Sequence, residues 1–532
     1  MQPACRARAA PCAPPAATAA RAAAARNAAR PAGSRRAPAA PRARPPAAAP
    51  RGRANCTARA CGAVRPARRA TAPPDAARRS ATLRGRMIQR ASSAGPSRAA
   101  GLPDLRPWLA LFAVSLALRV GFVWLAHGPG AVPYSDAEQL DALAWNLASG
   151  RGFALEGASG PYPTASVPPL MPWLTSLLYR AVGHSYFAGL LLQAALGALT
   201  PPLVLSLGSA LFGSPVGWIA AWLCAVHPLL VAFSGYLLTE AAFTTALVLA
   251  LLASVTWVKT PRPGRALGVG LLWGLATLAR PTALPLPALV AAWAWVPLGL
   301  TVRPAERLRQ IALIAAGVAI VLVPWCVRNL NVTGTFTLKT AGPKAFLDAN
   351  NPALWADPAR RGGANSAFEI EPYRTLFRGR SEVEVDSIAS AEAWKFLHAH
   401  RAEWPAMAAA KLARFWRVTR EGGGTGAWAD VRSPLLAAAA RVDPLLVWSC
   451  VVLPCAAWGL VRVARGPRRW FQAIVPLVIL WFTALAVLYW GGLRPRVPIE
   501  PLVALLAAAG LDEARRLVRM RGRGLSVIEG GR

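Results

Sequence analysis

Apolar residues run through the chain in blocks of about 20, the length at which a helix crosses ~30 Å of hydrocarbon. Ten such blocks stand at Trp108–Ala126, Tyr186–Leu207, Val216–Tyr236, Leu238–Val258, Ala266–Ala279, Thr282–Leu300, Ile311–Val327, Leu445–Val463, Phe471–Tyr489 and Val497–Leu511. None shows the short alternating segments of a closed transmembrane barrel. The pattern predicts an all-α polytopic membrane protein with about ten transmembrane helices. The fifth block is the shortest and predicts a tilted or partly re-entrant span.

The polar stretches predict the rest of the architecture. Within the first loop, 127–185, Leu140, Leu143, Ala144 and Leu147 recur at helical spacing, so Asp136–Ser149 predicts an amphipathic helix stopped by Gly150 and Gly152. A proline-rich turn follows, and Leu170–Val182 predicts a second short amphipathic helix. Both would lie in the membrane interface. Glu138 and Asp141 fall on what reads as the solvated face of the first helix. Residues 328–443 form one larger extramembrane region, expected as a loop-rich cap. It has an acidic stretch at Glu382–Asp386, a helical pattern over Ala391–Trp416 broken near Pro405, and a loose glycine link at Gly422–Gly424. The expected organisation is thus a transmembrane module at 101–327, the cap at 328–443, C-terminal transmembrane helices at 444–516 and a basic tail at 517–532.

Charge orients these elements. Lys259, Arg262 and Arg265, then Arg303, Arg307 and Arg309, then Arg462, Arg465, Arg468 and Arg469, and finally Arg515, Arg516, Arg519, Arg521 and Arg523 sit in alternate loops. With ten spans they all share one side, which the positive-inside rule makes cytoplasmic. Asp136, Glu240, Arg280, Arg328 and Arg494 then meet on the opposite, exoplasmic side.

Composition changes this picture only at the N-terminus. The chain has 532 residues, 55% of them hydrophobic, and a net charge of +36. Residues 1–100 hold 21 of the arginines, no lysine and one acid, Asp75, so more than half of the net charge comes from a leader too poor in large apolar residues to build a core. Three readings of it stay open: a basic tail, an organelle transit peptide, or translated sequence upstream of a true start near Met87. With basic loops accounting for the remainder, nucleic-acid binding is not expected. Cys5, Cys12, Cys56 and Cys61 lie in the leader, while Cys224, Cys326, Cys450 and Cys455 lie in or beside apolar blocks. They form no paired CxxC array, and read as small apolar residues. Of the five histidines only His398 and His400 stand close together, and at i, i+2 on a helix they point to different faces and read as solvated.

Acids at the heads of membrane helices are costly unless they reach water, a cation or a partner. Asp136 and Glu240 stand at such heads. Two carboxylates on one surface bind a divalent cation or supply a general base with a charged neighbour; alternatively, each caps its helix. Arg280, Arg328, Arg494 and Arg496 end spans on the side where basic residues are less expected. Arginine suits phosphate oxygens, so these four read as ligands of a lipid phosphate or as head-group anchors. No Walker loop, dinucleotide fingerprint or GxSxG motif is present.

Several segments, in order, carry a family resemblance: SDAEQLDALAWNLASGRGF, VPPLMPWLTSLLYRAVG, LLTEAAFTTALVLAL, GLATLARPTALPL, VPWCVRNLNVTGTFTLKTAG and RPRVPIEPLVALLAAAGL. Together they resemble the bacterial membrane glycosyltransferases of the GT-C superfamily, near family 39 with the dolichyl-phosphate-mannose protein mannosyltransferases, and near the aminoarabinose lipid A transferases. The sequence departs from the mannosyltransferases at the first acid, where Asp136 is followed by Ala137 rather than Glu. The resemblance implies hexosyl or pentosyl transfer, with inversion, from a polyprenyl-phosphate sugar to a protein, lipid or glycan acceptor outside a bacterial inner membrane. Asp136 would be the base, with Glu240 in support. Arg280, Arg328, Lys344, Arg494 and Arg496 would hold the donor phosphate. No cofactor is implied beyond a divalent cation, for which Asp136 and Glu240 would be the ligands. The competing reading from another class is a transporter or flippase of a lipid-linked sugar, against which the lack of an evident internal repeat counts; a third is a catalytically dead scaffold.

Overall fold

The structure, a computed structural model, describes residues 105–157, 160–299, 301–416 and 431–529. The leader at 1–100, with its four cysteines, and the glycine link at 422–424 lie outside the described residues.

Each apolar block becomes helix. The first is α1, Arg106–Ala126, opened by Pro107 in its first turn. In the first loop lie α2, Asp136–Ala148, a hairpin of β1, Ala154–Gly157, with β2, Gly160–Pro163, and α3, Leu170–Val182. Then come α4, Tyr186–Ala198, α5, Thr200–Phe212, α6, Ser214–Ala225, α7, Pro228–Ala232, α8, Glu240–Lys259, α9, Pro263–Ala279, α10, Leu286–Leu298, and α11, Pro304–Thr333. The larger extramembrane region carries α12, Gly342–Ala349, α13, Glu382–Ala399, and α14, Trp404–Phe415. The chain closes with α15, Pro444–Arg465, α16, Ile474–Leu488, α17, Leu493–Arg496, and α18, Glu500–Glu529.

Among the described residues seven helical segments are long and apolar enough to cross a membrane, α4 and α5 running together as one. The block expected as a single span over Val216–Tyr236 is instead broken: α6 and the segment from Pro228 bend by 49°, and would make an eighth. Of the other two blocks, α9 has 17 residues, and α18 buries its apolar half, Leu502–Ala509, on every side, as an all-round apolar helix does at the centre of a bundle.

The break has two causes, one local, in that Pro228 opens α7 and leaves His227 extended, and one from another helix. Arg119, inside α1, is fully buried. Its guanidinium donates to Ser115 Oγ at 2.5 Å and to the carbonyls of Ala225 at 3.3 Å and Cys224 at 3.5 Å. Those carbonyls end α6 and have no helical partner of their own. A cation at a helix C-terminus is favoured there, which explains both how the span tolerates Arg119 and where α6 stops. His227 then caps α7, its Nδ1 accepting from the Leu229 N–H at 3.1 Å.

Close approach is set by small residues. A Cβ on Gly459 of α15 would run into the Leu506 carbonyl of α18, and one on Gly510 into the Cys455 carbonyl. Gly270 and Gly317 bring α9 against α11 in the same way.

The first loop is more ordered than expected. The apolar face of α2, with Ala137, Leu140 and Leu143, packs on Val123, Met171, Leu190 and Leu237. Glu138 is exposed, as expected, but Asp141 is buried. Tyr179, in the last turn of α3, and His184, just after its Gly183 cap, both reach it; the Tyr179 hydroxyl donates to Oδ1 at 2.5 Å, and His184 Nε2 lies 2.9 Å from Oδ2. In α3 the buried face joins Met171 and Pro172 with the polar Thr175, Ser176 and Tyr179, whereas Trp173, Leu177 and Val182 face outward, as suits a helix resting on lipid.

The region expected as a loop-rich cap is largely helical. Ser381 and Glu384 close a capping box on α13, so the acidic stretch at 382–386 is a first helical turn. The helical pattern over Ala391–Trp416 is broken near Pro405, as expected: α13 ends at Ala399, a short turn follows at Arg401–Glu403, and Pro405 lies in the first turn of α14. Phe346, Leu347, Tyr373, Phe377, Val385 and Ala389 form a small core of their own. Lys411 of α14 fastens this unit to α16: its buried ammonium donates to Asn350 Oδ1 at 2.7 Å and to the carbonyls of Val487 and Leu488 at 3.2 and 3.4 Å.

Candidate active site

Four elements bring one charged group each to a single point. Asp136 is the first residue of α2. It does not cap the helix; Ser135 holds the N-cap position in a backbone conformation with φ of 55°, which a residue with a Cβ adopts only at a cost of roughly 1–3 kcal/mol. The turn so made leaves the Asp136 carboxylate free of its own helix and 52% exposed. Glu240 opens α8 and is 0% exposed. Arg280 ends α9, and Arg494 lies in the short turn of α17.

Arg494 joins the two acids. Its Nη1 pairs with Asp136 Oδ2 and its Nε with Glu240 Oε1, while Arg280 Nη1 reaches the same Glu240 oxygen at 3.0 Å. Glu240 therefore stands behind two arginines and holds them, whereas Asp136 is the acid that meets open space. Burial would raise the Asp136 carboxyl, but the Arg494 guanidinium, its hydrogen bond and the amines of Lys339 and Lys344 outweigh it and hold the group below the ordinary range. Burial opposes the charge on Arg494, and the two carboxylates more than offset it, so Arg494 stays a cation at any working pH.

The open space is a cavity of about 1980 Å³. Its polar end is lined by Asp136, Arg280, Lys339, Lys344, Asp348 and Arg494. Its other end runs between α10 and α11, along Ala288, Ala291, Ile314, Val318 and Leu322. The hairpin contributes Tyr162 to the wall, and the end of α16 is followed by Tyr489 and Trp490. One end can therefore hold an anion beside a carboxylate, and the other a long apolar chain.

Lys339 has no counterpart among the residues singled out from sequence. Its ammonium makes no hydrogen bond or ion pair among the described residues. Burial, with the charges of Arg280 and Arg494, pushes it down to about 8. In TFTLKTAG nothing marks it out; only its position just beyond the end of a span, on the side of the acids, hinted at it.

The other expected phosphate ligands separate. Arg280 and Arg494 line the cavity. Lys344 lines it too, and is paired with Asp348 at 2.8 Å. Arg328 does not: it donates to the carbonyls of Thr164 at 2.5 Å and Phe153 at 2.9 Å, the two ends of the hairpin, and lies over the Phe153 and Trp325 rings. Arg496 is 2% exposed, points away from the cavity and pairs with Glu500. As for a divalent cation, a guanidinium bridges Asp136 and Glu240, and among the described residues no three His, Cys, Asp or Glu side chains gather. That donor set does not fit such an ion.

Residues 166–327 match the family of dolichyl-phosphate-mannose-protein mannosyltransferases. This is one of the families the sequence motifs resemble. The match covers less than a third of the chain and includes Glu240 and Arg280, but neither Asp136 nor Arg494. Among curated proteins none matches the chain. Among solved structures, the oligosaccharyltransferase AglB of Archaeoglobus fulgidus, in complex with an inhibitory peptide and a dolichol-phosphate, aligns at 14% identity and a TM-score of 0.45 over 80% of this chain and 52% of that one. The chain thus spans about half the length of that protein. ArnT of Cupriavidus metallidurans, bound to undecaprenyl phosphate, aligns at 15% identity and a TM-score of 0.36 over 76% of this chain and 78% of that one. Likeness at this level says nothing of activity.

Proposed function

We propose that the protein is a membrane glycosyltransferase that moves a sugar from a polyprenyl-phosphate donor to an acceptor hydroxyl. What carries this reading is the cavity itself: a half-exposed carboxylate beside two arginines and an unpaired lysine at one end, and an apolar channel between α10 and α11 at the other. An amphipathic donor fits both ends at once. Its prenyl tail lies along Ala288, Ile314 and Leu322, and its phosphate meets Arg280, Arg494 and Lys339.

In the reaction the acceptor hydroxyl oxygen attacks the anomeric carbon from the face opposite the phosphate. The new C–O bond forms as the bond to the phosphate oxygen breaks, and the anomeric centre inverts. Asp136 takes the hydroxyl proton. The departing polyprenyl phosphate keeps the electron pair, and the cations stabilise its growing charge. Glu240 acts through Arg280 and Arg494, which it holds in place. This scheme needs no metal ion. The transferred group is a hexose or pentose, and the acceptor is a protein, lipid or glycan.

The alternation of basic loops in the sequence supports an exoplasmic position for the site, which in a bacterium is the periplasmic face of the inner membrane. The first module, 101–327, then supplies Asp136, Glu240 and Arg280, the cap at 328–443 closes over them, and the C-terminal helices bring Arg494.

The test is release of polyprenyl phosphate from labelled polyprenyl-phosphate sugars by the purified protein in lipid nanodiscs, with and without candidate acceptors. Acceptor-dependent release supports the reading. Movement of the intact donor between leaflets of a vesicle, with no release, overturns it in favour of a flippase.

A further inference from the structure

Behind the site lies a second group of charges that the reaction does not touch. His227, Arg496 and Glu500 are all buried. Arg496 Nε pairs with Glu500 Oε1, and His227 Nε2 lies 3.1 Å from Glu500 Oε2. His227 Nδ1 accepts the Leu229 N–H, so the ring proton sits on Nε2 and is donated to Glu500. Arg496 also donates from Nη2 to Ser449 Oγ at 3.2 Å, and its guanidinium lies 5.6 Å from the Trp416 ring. The His227 ring lies against Trp448, with centroids 4.8 Å apart. The group therefore ties the break between α6 and α7, the first turns of α15, the end of α14, the α17 turn and the start of α18.

Charges buried inside a membrane protein are expensive and persist where they do a job. The α17 turn shows what the job is. It has four residues, Leu493–Arg496, too few to hold a helix by themselves. Pro495 within it and Pro498 just after it remove two backbone donors. Yet this turn carries Arg494, whose side chain must reach both Asp136 and Glu240. Arg494 and Arg496 are two residues apart, so on one helical turn they project in opposite directions. Fixing Arg496 from behind fixes where Arg494 points in front. Val497, Ile499 and Glu500 are buried as well, so the anchored side of the turn is wholly enclosed while Arg494 and Pro495 face the cavity.

We propose that His227, Arg496 and Glu500 are positioning residues that set the reach of Arg494 toward Asp136 and the donor phosphate. The proposal rests on the donor reading above. Its test compares binding of undecaprenyl phosphate and of undecaprenol, the same tail without the phosphate, by native mass spectrometry in lipid nanodiscs. The wild-type protein favours undecaprenyl phosphate. Glu500→Gln cuts that preference about tenfold and leaves undecaprenol binding unchanged, because only the anion senses Arg494. In an Arg494→Gln background the Glu500→Gln change has no further effect. Equal weakening for both lipids, or an intact preference, overturns the positioning role. Should Glu500→Gln not fold, His227→Leu loses the preference and His227→Gln, which still donates to Glu500, restores it; identical behaviour of those two variants overturns it equally. If the wild-type protein does not distinguish the lipids, the donor reading falls and the positioning role falls with it.

Discussion

Asp136 and Glu240 share one guanidinium, yet neutralising them has opposite consequences. Asp136→Asn removes a charge from a pair whose acid is half exposed, and pairs of that kind contribute about 0–1 kcal/mol. The amide oxygen still accepts from Arg494, so the fold survives. The proposed base is gone, however, and loss of a general base lowers turnover by roughly 10²–10⁴. Glu240→Gln leaves Arg280 without its carboxylate and Arg494 with Asp136 alone, and stripping one partner from a buried pair costs up to about 3–5 kcal/mol. The expected result is an Asp136→Asn protein that unfolds within a few degrees of wild type and hardly transfers, and a Glu240→Gln protein that is clearly destabilised. Thermal unfolding in detergent reads the first quantity, and release of polyprenyl phosphate from a labelled donor reads the second. Wild-type turnover by Asp136→Asn refutes its assignment as base. Equal loss of stability in the two variants refutes the division of labour between the exposed acid and the buried one.

Two further outcomes follow from groups nearby. Lys339 is protonated below about 8 and neutral above it, so undecaprenyl-phosphate affinity is full below that pH and falls as pH rises through it; Lys339→Arg keeps the affinity and abolishes the fall, and a flat profile in the wild-type protein excludes Lys339 from the phosphate site. Gly459→Ala pushes a methyl group into the Leu506 carbonyl and destabilises the protein by about 1–3 kcal/mol, seen as a lower unfolding temperature, whereas Gly264→Ala, with open space around it, does not.

The helices were legible because apolar runs of membrane length leave little else to form. The break at Val226–His227 has one local signal, Pro228, which removes a backbone donor and holds His227 extended; its other cause, a buried arginine from another helix donating to the carbonyls of α6, leaves no mark within Val216–Tyr236. The site was legible in its acids and in Arg280 and Arg494, each a charge at the end of an apolar run, where burial makes charge conspicuous. Arg496 looked the same as Arg494 in GLRPRVP and differs only by the direction in which a helical turn sends it. Asp141 looked solvated from helical spacing alone, because Tyr179 and His184 reach it from about forty residues further on. Arg328 looked like a phosphate ligand, but the hairpin whose ends it holds has no signature in a proline-rich stretch.

The channel between α10 and α11 has a consequence for how the proposed lipid donor would reach the site. A ligand whose tail lies among Ala288, Ile314 and Leu322 is drawn from the leaflet beside those helices rather than from water. Encounter is then diffusion in a plane, and the governing quantity is the mole fraction of ligand among the surrounding lipids. Diluting a vesicle suspension with buffer leaves occupancy where it was, whereas adding carrier lipid lowers it. Affinity at this site is a property of the protein and its bilayer together.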